Sequence, residues 1–301
     1  MNVAFTLYVV IFLIKEGRIM AIKFNALISA AAVSLAVSAA PANAFLLDWK
    51  FGFDGTGNFA TATKISEFLD VVGPSVITTT APVAGSYTFT EQGAVNIVGH
   101  DGGVPFGGPT QIAATLHSIT GSGNLGGAIT FTGGTIDVYF NGSHTFATGG
   151  NGTYGVNPAG STLIGTFTPV TGGGNVDVIG IPNGQQTTFA QATFLAPGFW
   201  WNSAGTDLST LLATNPVFGF ATTNASFVNP APALVVAELG GGSITNCLPG
   251  QTTGGCTGVG NFEISNNGQF RISQVPEPGT LALFGIAMVG LGFAQRRRNM
   301  R

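Results

Sequence analysis

The stretch Ala128-Ile129-Thr130-Phe131-Thr132-Gly133-Gly134-Thr135-Ile136-Asp137-Val138-Tyr139-Phe140 decides the fold class. Two short runs rich in β-branched and aromatic residues, 128–132 and 135–140, are separated only by Gly133-Gly134. Glycine reaches the positive φ that a two-residue hairpin turn demands, so the spacing predicts two strands joined as a hairpin. The same grammar extends in both directions. Strands are expected at 94–99, 111–119, 162–168, 175–179, 187–195, 217–222, 234–239 and 269–273, with turns at Asn141-Gly142 and Asn151-Gly152. In 111–119, Ile112, Ala114 and Leu116 share one face while Thr115 and His117 take the other. One amphipathic helix is expected at 61–72, where Ile65, Phe68, Leu69 and Val72 recur at helical spacing. No fixed repeat period emerges. The expectation is an all-β, single-domain body, an antiparallel β-sandwich or related all-β architecture with Gly-rich turns.

Composition narrows the function classes. Of 301 residues, 46 are Gly and 24 are Phe, and only 8% are charged, against about 25% in an ordinary soluble domain. Disorder driven by charge is excluded by the 45% hydrophobic content. Nucleic-acid binding is disfavoured, because ten Lys and Arg in the whole chain cannot cluster to neutralise a phosphate backbone. Seven of those ten cations lie near the two ends. The 45–274 body keeps Lys50, Lys64 and Arg271 against eleven carboxylates, a formal charge of −8.

Both ends read as targeting segments. From Met20, Lys23 gives a charged start, 26–40 an apolar stretch, and Ala42-Asn43-Ala44 a small-x-small cleavage site before Phe45. Residues 1–44 are therefore a signal-peptide region. Met20 is its expected start, and a membrane anchor built from the apolar run upstream is the alternative. At the other end, Val275-Pro276-Glu277-Pro278 precedes an apolar segment at 281–294 and then Arg296-Arg297-Arg298. Such a segment is short for a spanning helix, which takes about 20 residues, and the arginines fit a cytoplasmic flank.

This C-terminal arrangement resembles the PEP-CTERM sorting signal of Gram-negative bacteria. The resemblance implies three segments: a signal-peptide region at 1–44, an extracellular body at 45–274, and a sorting signal at 275–301 with motif, transmembrane helix and basic tail. It implies processing by an exosortase, transient residence in the inner membrane, and release to the cell surface or extracellular matrix.

Several body segments are also similar to flocculation-associated PEP-CTERM proteins: Phe45-Leu46-Leu47-Asp48-Trp49, Ile65-Ser66-Glu67-Phe68-Leu69-Asp70-Val71, Phe89-Thr90-Glu91 and Gly205-Thr206-Asp207-Leu208-Ser209. That likeness implies a non-enzymatic protein that promotes flocculation or biofilm formation in association with exopolysaccharide. A secreted carbohydrate-active enzyme and a passive surface coat are the alternatives.

Other motifs carry less. Gly55-Thr56-Gly57-Asn58-Phe59-Ala60 and Gly121-Ser122-Gly123-Asn124-Leu125-Gly126 have dinucleotide-loop spacing without the βαβ unit that gives it meaning. Gly172-Gly173-Gly174-Asn175-Val176-Asp177-Val178-Ile179 resembles one calcium-binding repeat, except that Asn175 replaces the second-turn Gly, and one copy cannot supply both halves of a site. His100, His117 and His144 form no zinc or hydrolase signature, and no cofactor or metal site is read. Cys247 and Cys256, nine apart in an exported chain, are expected to form a disulfide. Trp200-Trp201 is read mainly as a strand whose two indoles fall on opposite faces, with a carbohydrate-stacking platform as the functional alternative.

Overall fold

Strands do form where the alternation predicts them, but they run through the glycines that were expected to end them. The computed structural model describes residues 44–46, 48–105, 111–142, 161–177, 183–214, 216–228 and 244–274. Within these, the strands are β1 (Ala44–Phe45), β2 (Trp49–Phe51), β3 (Thr63–Ile65), β4 (Leu69–Thr79), β5 (Ser86–His100), β6 (Val104–Pro105) and β7 (Ile112–Asn124). They continue with β8 (Ala128–Phe140), β9 (Thr162–Asp177), β10 (Asn183–Leu195), β11 (Trp200–Trp201), β12 (Val217–Val228) and β13 (Asn261–Gln274).

The architecture is an antiparallel eight-stranded barrel, not a sandwich. Strands β4, β5, β7, β8, β9, β10, β12 and β13 pair in sequence order, and β13 then returns to β4. That last ladder runs from Asn261 opposite Thr78 to Phe270 opposite Leu69. A sandwich leaves edge strands with unpaired backbone groups, whereas closure removes them. The barrel strands are 11 to 16 residues long, about twice the length that the glycine positions suggested.

Gly133 and Gly134 show why. They do not turn the chain but bend it inside β8, opposite register shifts between His117 and Gly121 of β7. Gly134 has φ +120°, and a Cβ there would strike the Ile119 and Ser118 backbone. Such a bulge coils a long strand around a closed barrel. The β7–β8 hairpin instead turns at 125–127, where Gly127 (φ +97°) donates to the Asn124 carbonyl across 3.0 Å.

The expected helix at 61–72 is absent. Its residues divide between β3, a corner, and the start of β4. Ile65, Leu69 and Val71 are buried, but Leu69, Val71 and Gly73 follow a period of two into a β-branched run that favours strand. The strand expected at 162–168 and the 175–177 part of the one expected at 175–179 belong to the single strand β9, and 178–179 and the 234–239 strand lie outside the described residues.

Glycine and phenylalanine are complementary inside the barrel. The Phe89 ring lies over Gly121, Phe131 over Gly172, and Phe270 over Gly219, each where a Cβ would collide. An eight-stranded interior is just wide enough to be filled by side chains, and pairing one large group with one absent group meets that limit. Two apolar clusters result, one containing Val71, Ile97, Val138 and Phe167 and the other Ile77, Phe89, Phe131 and Phe262.

Candidate functional site

The tryptophans close one end of the barrel. β11 pairs with β2, and β2 with β3, in a three-stranded sheet. Trp200 is 0% exposed, stacked on Trp49 at 6.1 Å and packed on Phe51 at 4.6 Å, and its Nε1–H donates to the Ile164 carbonyl across 2.7 Å. Trp201 is 4% exposed and meets the Phe59 ring edge-on. The two indoles do take opposite sides of β11, but each side is covered. No indole face reaches solvent, so the pair cannot serve as a stacking platform.

At the other end, Cys247 and Cys256 are disulfide-bonded with Cα atoms 5.7 Å apart. Leu248 of this loop packs on the second apolar cluster, and Gly250 lies beside Pro82 and Leu125. The disulfide thus holds a lid on the barrel.

Two of the histidines lie beside carboxylates. Asp101 accepts from the backbone N–H groups of Ser66, Glu67 and Phe68 and contacts His100 Nδ1 at 2.9 Å. Burial pulls its pKa up, but the ring and the three N–H groups outweigh burial and hold it at about 2. His117 Nε2 lies 2.7 Å from Thr115 Oγ1 and 3.8 Å from Asp137 Oδ2. A nucleophile–base–acid relay needs the hydroxyl and the carboxylate on different ring nitrogens; here both use one. His144 lies outside the described residues. The 55–60 motif is a loop between β2 and β3, while Gly121–Asn124 belongs to β7. Among the described residues, no three His, Cys, Asp or Glu side chains converge to hold a metal ion.

Inside the barrel, sequence reading missed a polar layer. Asn266 Nδ2 donates to Ser75 Oγ across 2.7 Å, and Gln186 Nε2 donates to Asn266 Oδ1 across 3.4 Å. Glu91 hydrogen-bonds to both Ser75 and Asn266, and burial pushes its carboxyl pKa up against those bonds. Glu91 and Gln186 line both a cavity of about 80 Å³ and a smaller one of about 40 Å³. Alternation could have flagged Glu91, which shares the inward parity of Tyr87 and Phe89.

The outward rows of β9, β10, β12 and β13 are the other feature without a structural account. Asn175, Gln185, Asn224 and Asn267 are direct register partners across the four strands, and all four are exposed. The next row holds Gly173, Thr187, Thr222 and Gln269. Beyond it, Phe189 faces Phe220 across the β10–β12 ladder, and Phe218 stacks on Phe189 at 4.8 Å and 12°. These rings are half-buried on the outer wall. Sequence reading sought aromatics as tryptophan and overlooked the alternating Phe218, Phe220, Thr222, Asn224.

Compared with known protein families, residues 274–298 match the model of the PEP-CTERM protein-sorting motif. The chain carries a PEP-CTERM sorting motif. No curated protein and no solved structure matches it. The sorting motif marks this protein as an exported exosortase target, destined for the cell surface or extracellular space. Val275, Pro276, Glu277, Pro278 and Arg296-Arg297-Arg298 fall inside the matched range. They lie outside the described residues, as do the apolar segment and residues 1–43; of the cleavage junction, Ala44 and Phe45 are described as β1.

Proposed function

We propose that this protein is a non-enzymatic component of the extracellular matrix that promotes flocculation or biofilm formation in association with exopolysaccharide. The observation that carries the reading is the union of a sorting motif with a barrel capped at both ends, on whose outer wall two neighbouring rows of β9, β10, β12 and β13 carry amides and hydroxyls. A capped barrel is a durable particle, and an uncharged polar wall suits a hydrated polysaccharide gel. The −8 body opposes nonspecific capture by polyanions. In this reading the apolar segment at 281–294 holds the chain in the inner membrane until exosortase removes it.

Deleting the gene and restoring it in trans tests the proposal. Flocs should be lost and then recovered, and wild-type flocs in the deletion strain would overturn it. The purified protein should release no oligosaccharide from the cell's own polysaccharide; release would make it a hydrolase.

A further inference from the structure

We propose that the outward rows of β9, β10, β12 and β13 bind an uncharged polysaccharide chain laid across the strands; this deepens the matrix reading and rests on it. The first support is the amide row. Neighbouring strands lie about 4.8 Å apart, so Asn175, Gln185, Asn224 and Asn267 span about 14 Å in register. Each primary amide both donates and accepts hydrogen bonds, which is the dual capacity that sugar hydroxyls require. Asn, unlike Thr or Val, is depleted in strands. Three Asn in one row therefore oppose local propensity.

The second support is the neighbouring rows. Thr187 and Thr222 hydroxyls lie 3.4 Å apart, and Gly173 leaves that row open at one end. Beyond them Phe189, Phe218 and Phe220 present half-buried apolar ring surface beside the amide and hydroxyl rows. Rings beside amides suit a ligand with C–H faces and hydroxyl edges.

Charge selects the ligand class. Among the described residues, the amide, threonine and phenylalanine rows of these four strands hold no carboxylate themselves, although Asp177 stands one row beyond Asn175 and Asp70 of β4 is in register with Gln269. Arg271, opposite Phe220, is the one cation; its guanidinium is engaged by Glu67 at 3.4 Å, by Gln269 at 3.2 Å and by the Phe68 ring at 5.1 Å. A polyanion would meet no cluster of cations, and the carboxylates Asp70 and Asp177 at the margin of the rows would repel it further. A neutral glycan satisfies the wall on both counts.

Affinity electrophoresis of the mature body through gels containing dextran, hydroxyethylcellulose, laminarin or alginate tests this. At least one neutral glycan should retard the protein, equally in low salt and in 0.5 M NaCl, roughly a Debye length of 4 Å, and alginate should not. Gln185→Ala/Asn224→Ala, both exposed, should keep the thermal melt and cut retardation at least fivefold. Phe189→Ala should do the same, and Thr88→Ala/Ser122→Ala on the opposite wall should not. Retardation by alginate alone, by none of the glycans, or undiminished in the Gln185/Asn224 variant would overturn the proposal. So would self-association on the same wall, seen by sedimentation as a dimer lost in that variant. A strain carrying the Gln185/Asn224 variant separates the two readings. Normal flocs there, with none in the deletion strain, would sink the glycan face and leave the matrix role standing. Flocs in the deletion strain would sink the matrix role, whatever the gels show.

Discussion

Asn266 and Ser75, 191 residues apart in sequence, hydrogen-bond across 2.7 Å inside the barrel and together hold the carboxyl of Glu91. Removing one partner strands a buried polar group, which costs about 1–3 kcal/mol, whereas replacing both by apolar groups of similar shape is close to neutral. Asn266→Leu should therefore destabilise by that amount in urea melts, and Glu91→Leu/Asn266→Leu should recover most of it. Additive losses in the double variant would contradict the coupling.

Stability should depend on pH in both directions. Burial raises the Glu263 carboxyl from 4.5 to about 7, and Glu91 shifts the same way. The folded state then holds a proton that the unfolded state has lost, so this contribution is complete below 4.5 and disappears as pH rises through 7. Asp101 has the opposite sign: its contribution is present above 3.8 and lost as pH falls through about 2. Tm measured from pH 2 to pH 8 should peak near pH 4. Glu263→Gln should flatten the high-pH limb and Asp101→Asn the low-pH limb; an unchanged slope in either variant would refute its assignment.

The Cys247–Cys256 bridge closes a loop of nine residues' separation. Chain entropy assigns such a loop about 2–3 kcal/mol. Reduction, or Cys247→Ser/Cys256→Ser, should lower the unfolding free energy by that amount and speed hydrogen exchange at Leu248 and Gly250. Loss confined to the loop, with the barrel's stability intact, would show the lid to be energetically separate.

Gly219 tests the pairing of phenylalanine with glycine. An added Cβ there meets only side chains, chiefly Phe270 and then Phe167. Gly219→Ala should destabilise by about 1–3 kcal/mol through overpacking. Phe270→Leu should cost less in that background than alone, with a coupling above about 0.5 kcal/mol in a double-mutant cycle.

The strand class was legible because alternation survives in long antiparallel strands: Ile112, Ala114 and Leu116 face inward as read. Topology was not. Gly133-Gly134 bends one strand, yet its dipeptide chemistry is also that of a turn, and only the ladder to β7 distinguishes them. The 61–72 pattern satisfies periods of 3.6 and 2 at once, and closure by β13 resolves it. The disulfide was readable because two cysteines in an exported chain leave one pairing. The amide row was hidden because Asn175, Gln185, Asn224 and Asn267 become neighbours only through register across four strands. Burial of Trp200 and Trp201 depends on β2 and β3, which cover them from elsewhere in sequence.

The short ladder of β1 on β13 sets Ala44 against Gln274 and Phe45 against Ser273. Ala44–Phe45 is the junction at which the signal-peptide region is expected to be cut, and Gln274 is the first residue of the sorting-motif match. The residue before the expected signal cut and the first residue of the sorting-motif match thus lie side by side on the barrel surface. Leu46, the next residue, packs on the cluster beneath the tryptophan plug, while the disulfide lid sits on the far cluster. The two ends of the described body therefore leave it from one place, at the tryptophan pole, while the disulfide lid lies at the other.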